Sequence, residues 1–318
     1  ETRLAAATAL GNMKRRTTLT LPAGDIRNTF AEEIAYFGHM RDGSLCDMPK
    51  TPAAELLRRA FKERAQASLE TLFRSMALIY PDDAIQGAYR AMTSRVTRDR
   101  QIALELLDNI LDTETRDALV DAVGERGVKR IRDARKILTA VARSSDKFSG
   151  GLARVVLVDM GAAPKSALGD TMTQLLVNQV LELQGVTLFS HSSAEDLAEV
   201  ATLLTPRNVA AKTILYSQGE QPDLVYLVRS GAVELTRDGR VLDRLGPGDA
   251  CGLLAVLDQL PRETTATTVS DCALLVVSGD AFVQLLADRP TLMHGIFRAL
   301  TGSIRNQLER TQLERKAR

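Results

Sequence analysis

The chain has 318 residues, more than one hydrophobic core usually organises, so about two domains are expected. It is 45% hydrophobic, 25% charged and 4% aromatic with no Trp, the composition of an ordinary globular protein in which helix should dominate. Lys+Arg 41 against Asp+Glu 40 leaves a net charge of +1, which excludes a broad attraction for a polyanion and makes nucleic acid an unexpected partner.

Cys46, Cys251 and Cys272 form no CxxC pair and lie far from any His cluster, so neither a zinc site nor a disulfide framework is indicated and a reducing compartment fits. No apolar run reaches the roughly 18 residues that span a bilayer, and no signal-peptide pattern opens the chain. The segment is therefore expected not to insert into a membrane. It begins at Glu1, already inside the helical pattern Glu1-Thr-Arg-Leu-Ala-Ala-Ala-Thr-Ala-Leu10, and reads as a fragment of a longer protein.

From Glu1 to about Leu183 apolar residues recur at helical spacing, with breaks expected at Pro22, Gly43, Pro49/Pro52, Pro81, Gly124, Gly127, Gly150/Gly151 and Pro164. Leu56-Leu57, Ala60-Phe61, Leu69, Leu72-Phe73, Met76 and Ile79-Tyr80 keep one apolar stripe on a long helix, which Pro81-Asp82-Asp83 stops while capping the next. A second pair is predicted over Ala84–Met92 and Arg98–Leu111. The run Lys14-Arg15-Arg16 reads as a solvated face rather than a binding patch.

Residues Arg3–Asn12 line up with Arg100–Asn109, sharing Arg, Ala, Leu and Asn at equal offsets, as two inner helices of a hairpin repeat would. A lone hairpin cannot bury its stripe, so such hairpins stack and leave a broad face for a partner protein. A non-repeating helical bundle is the other reading. The segments Leu69–Asp83, Ala88-Tyr-Arg90 and Ala103–Leu111 resemble the HEAT-repeat region behind the membrane part of bacterial ATP/ADP-translocase-like or major-facilitator carriers that end in a cyclic-nucleotide-binding-like domain. That resemblance implies a membrane domain upstream in the same longer chain, as partner, and a cytoplasmic location beneath an inner membrane.

Past Gln184 the pattern changes. A helix over Ala194–Leu204 opened by Ser192-Ser193 precedes period-two strands at Ile214–Tyr216, Leu224–Val228, Ala232–Leu235, Val241–Leu245 and Ala273–Val277. Gly219, Gly231, Gly239, Gly246 and Gly248 separate them where turns need positive φ. A jelly-roll-like barrel without ligand would show the same pattern. An amphipathic helix carrying Phe282, Leu285-Leu286, Leu292, Ile296-Phe297, Leu300, Ile304 and Leu308 follows, and the chain given ends without a helix-turn-helix to read DNA.

Leu188-Phe189, Gln218-Gly-Glu220, Tyr226–Gly231, Leu245-Gly-Pro-Gly-Asp249, Cys251–Leu257, Pro261-Arg262 and Asp271-Cys272 occur in the order and register that resemble the cyclic-nucleotide-binding domain family. The implied fold class is α+β multidomain: α-helical HEAT-like repeats over 1–183, then a β-roll with flanking helices over 184–318. In that family a short helix and loop cradle the cyclic phosphate, here Gly252–Thr265. Gly252 would admit close backbone approach, the amides of Leu254 and Ala255 would donate to phosphate oxygens, Arg262 would supply counter-charge and Thr265 a further donor.

The ribose half departs from the family. Leu253 stands where a glutamate would accept the 2′-hydroxyl bond, Thr264 where alanine is usual and Lys212 at a usual turn glycine. The ligand implied is a cyclic nucleotide or another phosphate-containing small molecule; otherwise Arg262 is tied into a structural ion pair with Glu263 or Asp249. Phe297 is a candidate lid over a base, with core or homodimer seam as its competing roles. His39, His191 and His294 are isolated, no Gly-x-Ser-x-Gly or P-loop occurs, and the chain reads as a non-enzyme: a regulatory or scaffolding module of a transporter, a free-standing sensor, or an oligomerisation domain.

Overall fold

The computed structural model describes residues 2–16, 21–94, 96–123 and 133–316. They fall into two compact units, Glu1–Arg143 with Asp159–Ala162, and Ser144–Val158 with Ala163–Arg318. Among the described residues no helix is long and apolar enough to cross a membrane.

The first unit is helical: α1 (Thr2–Arg16), α2 (Ala23–Leu45), α3 (Pro52–Met76), α4 (Asp82–Met92), α5 (Thr97–Asp108), α6 (Thr113–Val123) and α7 (Ala134–Ala142). Helix α3 starts where its sequence dictates, since Thr51 Oγ1 accepts the Ala54 N–H (3.4 Å) and Pro52 occupies the first turn, where its missing N–H is harmless. Its stripe buries Leu56, Leu57, Ala60, Phe61, Leu69 and Leu72. Helices α2 and α3 run antiparallel, with Glu33 beside Ser68 at one end and Gly43 against Phe61 at the other. Glu33 is buried but satisfied, accepting from Arg3 Nη1 and Ser68 Oγ at 2.8 Å each. One core, including Phe30, Ile34, Phe73, Ile85, Leu107 and Leu119, joins α2 through α6.

Four expectations fail here. Helix α3 ends at Met76, so Ile79 and Tyr80 lie past it and Pro81 does not stop it. Gly43 does not end a helix: α2 runs through it, and a Cβ there would sit 2.8–2.9 Å from the Phe61 ring, so the glycine serves close packing. Gly150 and Gly151 likewise lie within a helix, α8 (Lys147–Asp159), and a Cβ on Gly151 would meet Thr173 Cγ2 at 2.8 Å and Val177 Cγ2 at 2.9 Å. Asp82 and Asp83 occupy the first turn of α4 rather than its cap, where Asp82 accepts from Gln86 (3.0 Å) and Arg15 (3.5 Å) and its charge suits the helix N-terminus. The breaks expected at Gly124 and Gly127 lie outside the described residues.

The second unit continues with α9 (Thr171–Leu183), a 3-10 turn at Thr187–Phe189 and α10 (Ala194–Leu203), whose Ser193 and Asp196 form a reciprocal capping box. Eight strands follow: β1 (Thr205–Val209), β2 (Ile214–Tyr216), β3 (Leu224–Ser230), β4 (Val233–Arg237), β5 (Arg240–Leu245), β6 (Ala250–Cys251), β7 (Thr265–Thr268) and β8 (Cys272–Ser278). They build two antiparallel four-stranded sheets, ordered β1-β8-β3-β6 and β2-β7-β4-β5. Helices α11 (Leu253–Asp258), α12 (Gly279–Asp288) and α13 (Pro290–Lys316) complete the unit.

Tyr216, Tyr226, Val228, Val233, Leu274 and Val276 fill the space between the sheets. Helix α11 packs on β3 and α12 on β8, which covers the outer face of the first sheet as well. That is why Leu224–Val228 and Leu274–Val277 read as unbroken apolar runs, whereas β5, solvated along its length, does not.

Four of the five turn glycines, Gly219, Gly231, Gly239 and Gly248, have φ of 76–91°, and Gly246 does not. The sequence reading misses β1, an exposed edge strand carrying Pro206, because proline and polar residues disguise it. Lys212 has φ 63°, the left-handed conformation a glycine would take without strain.

Gly43→Ala should lower the stability of the helical unit by about 1–3 kcal/mol, because the buried Phe61 ring cannot move aside. Gly87→Ala in α4, where a Cβ meets nothing within 4 Å, should stabilise by up to about 1 kcal/mol. Urea unfolding of the two variants checks the contrast.

Candidate functional site

The cassette spans β6, α11 and the start of β7, and Arg262 is its centre. Backbone pairing fixes Arg262 first: its N–H donates to the Glu220 carbonyl and its own carbonyl accepts from Gly219, each at 2.8 Å. The two sequence elements Gln218-Gly-Glu220 and Pro261-Arg262 are thus partners across one junction. The Glu220 side chain closes that turn by accepting the Ser217 N–H at 3.0 Å.

The Arg262 side chain is buried, at 2% exposure, and turns inward. Nη1 donates to the Gly252 carbonyl (2.5 Å), Nη2 to the Leu224 carbonyl (2.6 Å) and to Asp223 Oδ1 (3.3 Å). The guanidinium carbon lies 4.4 Å from the centroid of the Tyr216 ring, a cation–π arrangement. Nε is buried without a hydrogen-bond partner. The expected carboxylate partners are replaced: Glu263 pairs with Arg237, Asp249 accepts from the Gly246 N–H at 2.9 Å, and Asp223, at the start of β3, takes their place. Asp223 carries no motif of its own and is brought to the arginine only by the strand order.

Gly252 has φ 83°, and a Cβ on it would meet Arg262 Nη1 at 2.7 Å and the Leu224 carbonyl at 3.0 Å. Its lack of a side chain is what lets the guanidinium lie against the backbone. Leu253 opens α11 and is buried, Leu254 is exposed, and Ala255 is buried. Thr265 Oγ1 accepts the Gln218 N–H at 2.9 Å, which joins β7 to the same turn. These six residues therefore share one cassette. Phe297 lies apart in sequence on α13, is 54% exposed and so is not core; that helix packs on Thr187–Phe189 and α12.

Beneath the arginine, Tyr216 and Cys251 are held in a poorly solvated space. Burial pushes the Cys251 thiol up to about 12, against the opposing charge of Arg262, and the Tyr216 hydroxyl up to about 12, with Cys251 adding to the shift. A thiol in this state is protonated near neutrality and a poor nucleophile. His39, His191 and His294 are exposed, and among the described residues no group of His, Cys, Asp and Glu is arranged to hold a metal ion.

Replacing Arg262 by Ala removes its bonds to two backbone carbonyls and should destabilise the second unit by roughly 3 kcal/mol in urea unfolding. Both raised acids stay protonated in the folded state after they ionise in the unfolded one. Their stabilising effect is therefore whole below about pH 9 and is lost as pH climbs towards 12. Thermal melts from pH 8 to 12 should fall in this window, and Cys251→Ala should flatten the fall by up to about 1.4 kcal/mol per pH unit.

The sequence profile of the cyclic nucleotide-binding domain matches residues 206–289. The chain is 28% identical over 134 residues to the CRP-like cAMP-activated global transcriptional regulator of Mycobacterium tuberculosis, covering 41% of this chain and 59% of that protein. It is 33% identical over 114 residues to the cAMP-dependent protein kinase regulatory subunit of Yarrowia lipolytica, covering 35% of this chain and 30% of that one. The solved regulatory domain of Toxoplasma gondii PKA with cAMP aligns at 31% identity and a TM-score of 0.33, over 37% of this chain and 46% of that chain. The profile match encloses the Arg262 cassette, both sheets from Pro206 onward and α12: residues 206–289 are a cyclic nucleotide-binding domain.

Proposed function

We propose that the chain is a non-catalytic regulatory module whose cyclic nucleotide-binding domain admits a phosphate-containing ligand but binds cyclic AMP and cyclic GMP weakly. The observation that carries this is Leu253, a buried aliphatic side chain at the first position of α11, beside Gly252 and Arg262. Leucine cannot accept a hydrogen bond from a ribose hydroxyl. A bond to a charged acceptor contributes about 1.5–3 kcal/mol, so its absence weakens binding roughly tenfold to a hundredfold. Arg262 Nε is a donor that the protein leaves unused, and a phosphate would reach it only if the guanidinium turned outward from its bonds to the Gly252 and Leu224 carbonyls.

Two settings suit the module. The sequence likeness of Leu69–Leu111 to HEAT-repeat regions supports a cytoplasmic part of a transporter, with the helical unit as docking face for its membrane domain. The relatives named as a transcriptional regulator and a kinase regulatory subunit support a free-standing sensor that acts through protein contacts. A homodimer is compatible with either, because Phe297 and Ile304, seven residues apart on α13, are both exposed apolar side chains.

Titration calorimetry with cyclic AMP and cyclic GMP should give dissociation constants weaker than about 10 μM, and Leu253→Glu should tighten cyclic AMP binding at least about tenfold. Sub-micromolar binding by the unchanged protein, or no gain in Leu253→Glu, would overturn the proposal.

A further inference from the structure

Helices α1, α3 and α4 enclose a cleft of about 460 Å³ that lies wholly within the helical unit. Its floor is apolar: Phe73 and Ile85 are buried, and the Tyr89 ring lies 5.4 Å from that of Phe73. Its rim is basic, with Lys14, Arg15, Arg74 and Arg90 against two carboxylates, Glu70 and Asp82.

Both carboxylates are already engaged. Glu70 accepts from Arg74 at 2.6 Å and Asp82 from Arg15 at 3.5 Å. Lys14 Nζ donates to the Leu78 carbonyl (2.7 Å), and Arg90 Nε makes one long bond to the Gln86 carbonyl (3.4 Å). Among the described residues neither of these two cations has a carboxylate partner. The rim thus carries a local positive excess in a chain whose net charge is only +1. Lys14 and Arg15 belong to the basic run expected to face solvent, and they are exposed, on the rim of the cleft.

Gly11 keeps the cleft open. It lines the cleft from the interior of α1, its φ is not left-handed, and a Cβ there would meet only Leu78 Cδ2 at 3.9 Å. Neither backbone conformation nor packing requires glycine, and helix propensity opposes it. The missing side chain has one local effect, which is space.

We infer that this cleft binds a small amphipathic anion, with a hydrocarbon or aromatic body on Phe73 and Ile85 and a carboxylate or phosphate head on the rim that carries Lys14 and Arg90. The volume lies within the range of small-ligand sites, and an apolar floor with a few converging charges is their usual make-up. A head group would gain charge-assisted bonds from donors that now meet only carbonyl oxygens.

The test uses the full chain with 1-anilinonaphthalene-8-sulfonate as fluorescent probe, displaced by decanoate, decyl phosphate, decanol or inorganic phosphate. Decanoate or decyl phosphate should displace the probe, and whichever is the tighter identifies the head group. Decanol and inorganic phosphate, each lacking one half of the ligand, should be at least about tenfold weaker. Gly11→Leu, which fills the cleft while favouring the helix, should weaken probe and decanoate binding at least about tenfold. Arg90→Gln, on the exposed rim, should weaken the two anions about three- to tenfold and leave decanol unchanged. Binding that survives Gly11→Leu, decanol as tight as decanoate, or displacement by inorganic phosphate alone would each overturn the inference.

Discussion

The second unit is organised around a buried cation. Arg262 holds the 216–220 turn through its backbone and through the Tyr216 ring, the start of β3 through Leu224 and Asp223, and the head of α11 through Gly252. A guanidinium taken out of water is tolerable only when its donors are met, and here carbonyl oxygens do most of that. Asp223 remains largely exposed, so its attraction is screened and contributes less than the two carbonyl bonds. A phosphate that engaged Arg262 would compete with the bonds that fix the cassette. A ligand held there would bear on the position of α11 only through its preference for one arrangement of that side chain over another.

Much of the roll was legible because its chemistry is local. Strand β4 announces itself by the alternation of Val233 and Leu235 with polar residues and its hairpin with β5 by Gly239, which with Asp238 takes the positive φ that a tight two-residue turn requires. The capping serine of α10 is equally plain, since the acid three residues on completes the box. Gly252, Leu253, Leu254, Ala255, Arg262 and Thr265 fall within the segment from β6 through α11 to β7, where Arg262 turns into the protein and Leu254 faces solvent. What could not be read was direction. Periodicity does not say whether an arginine faces a cavity or the protein, and Asp223 and the Leu224 carbonyl become its partners only once β3 lies beside β6.

Glycine misled the reading of the helices for a related reason. A glycine in sequence signals either a conformation that other residues avoid or a contact they cannot make, and only the first interrupts a helix. Gly43 and Gly151 are of the second kind, each admitting a neighbouring side chain against the helix backbone. Lys212 is the converse, a residue with a side chain in the left-handed conformation, held by its N–H bond of 2.7 Å to the Thr268 carbonyl.

The four outer strands of the roll have a consequence for how it can meet other molecules. Strand β6 has two residues and β2 three, β1 carries Pro206, and β5 presents Arg240, Asp243 and Arg244. Short, proline-bearing or charged borders are poor templates for a further strand from another chain. The roll is thus guarded against growth by sheet extension, and the surfaces it leaves for contact are its helices and turns, where side chains rather than backbone decide what fits.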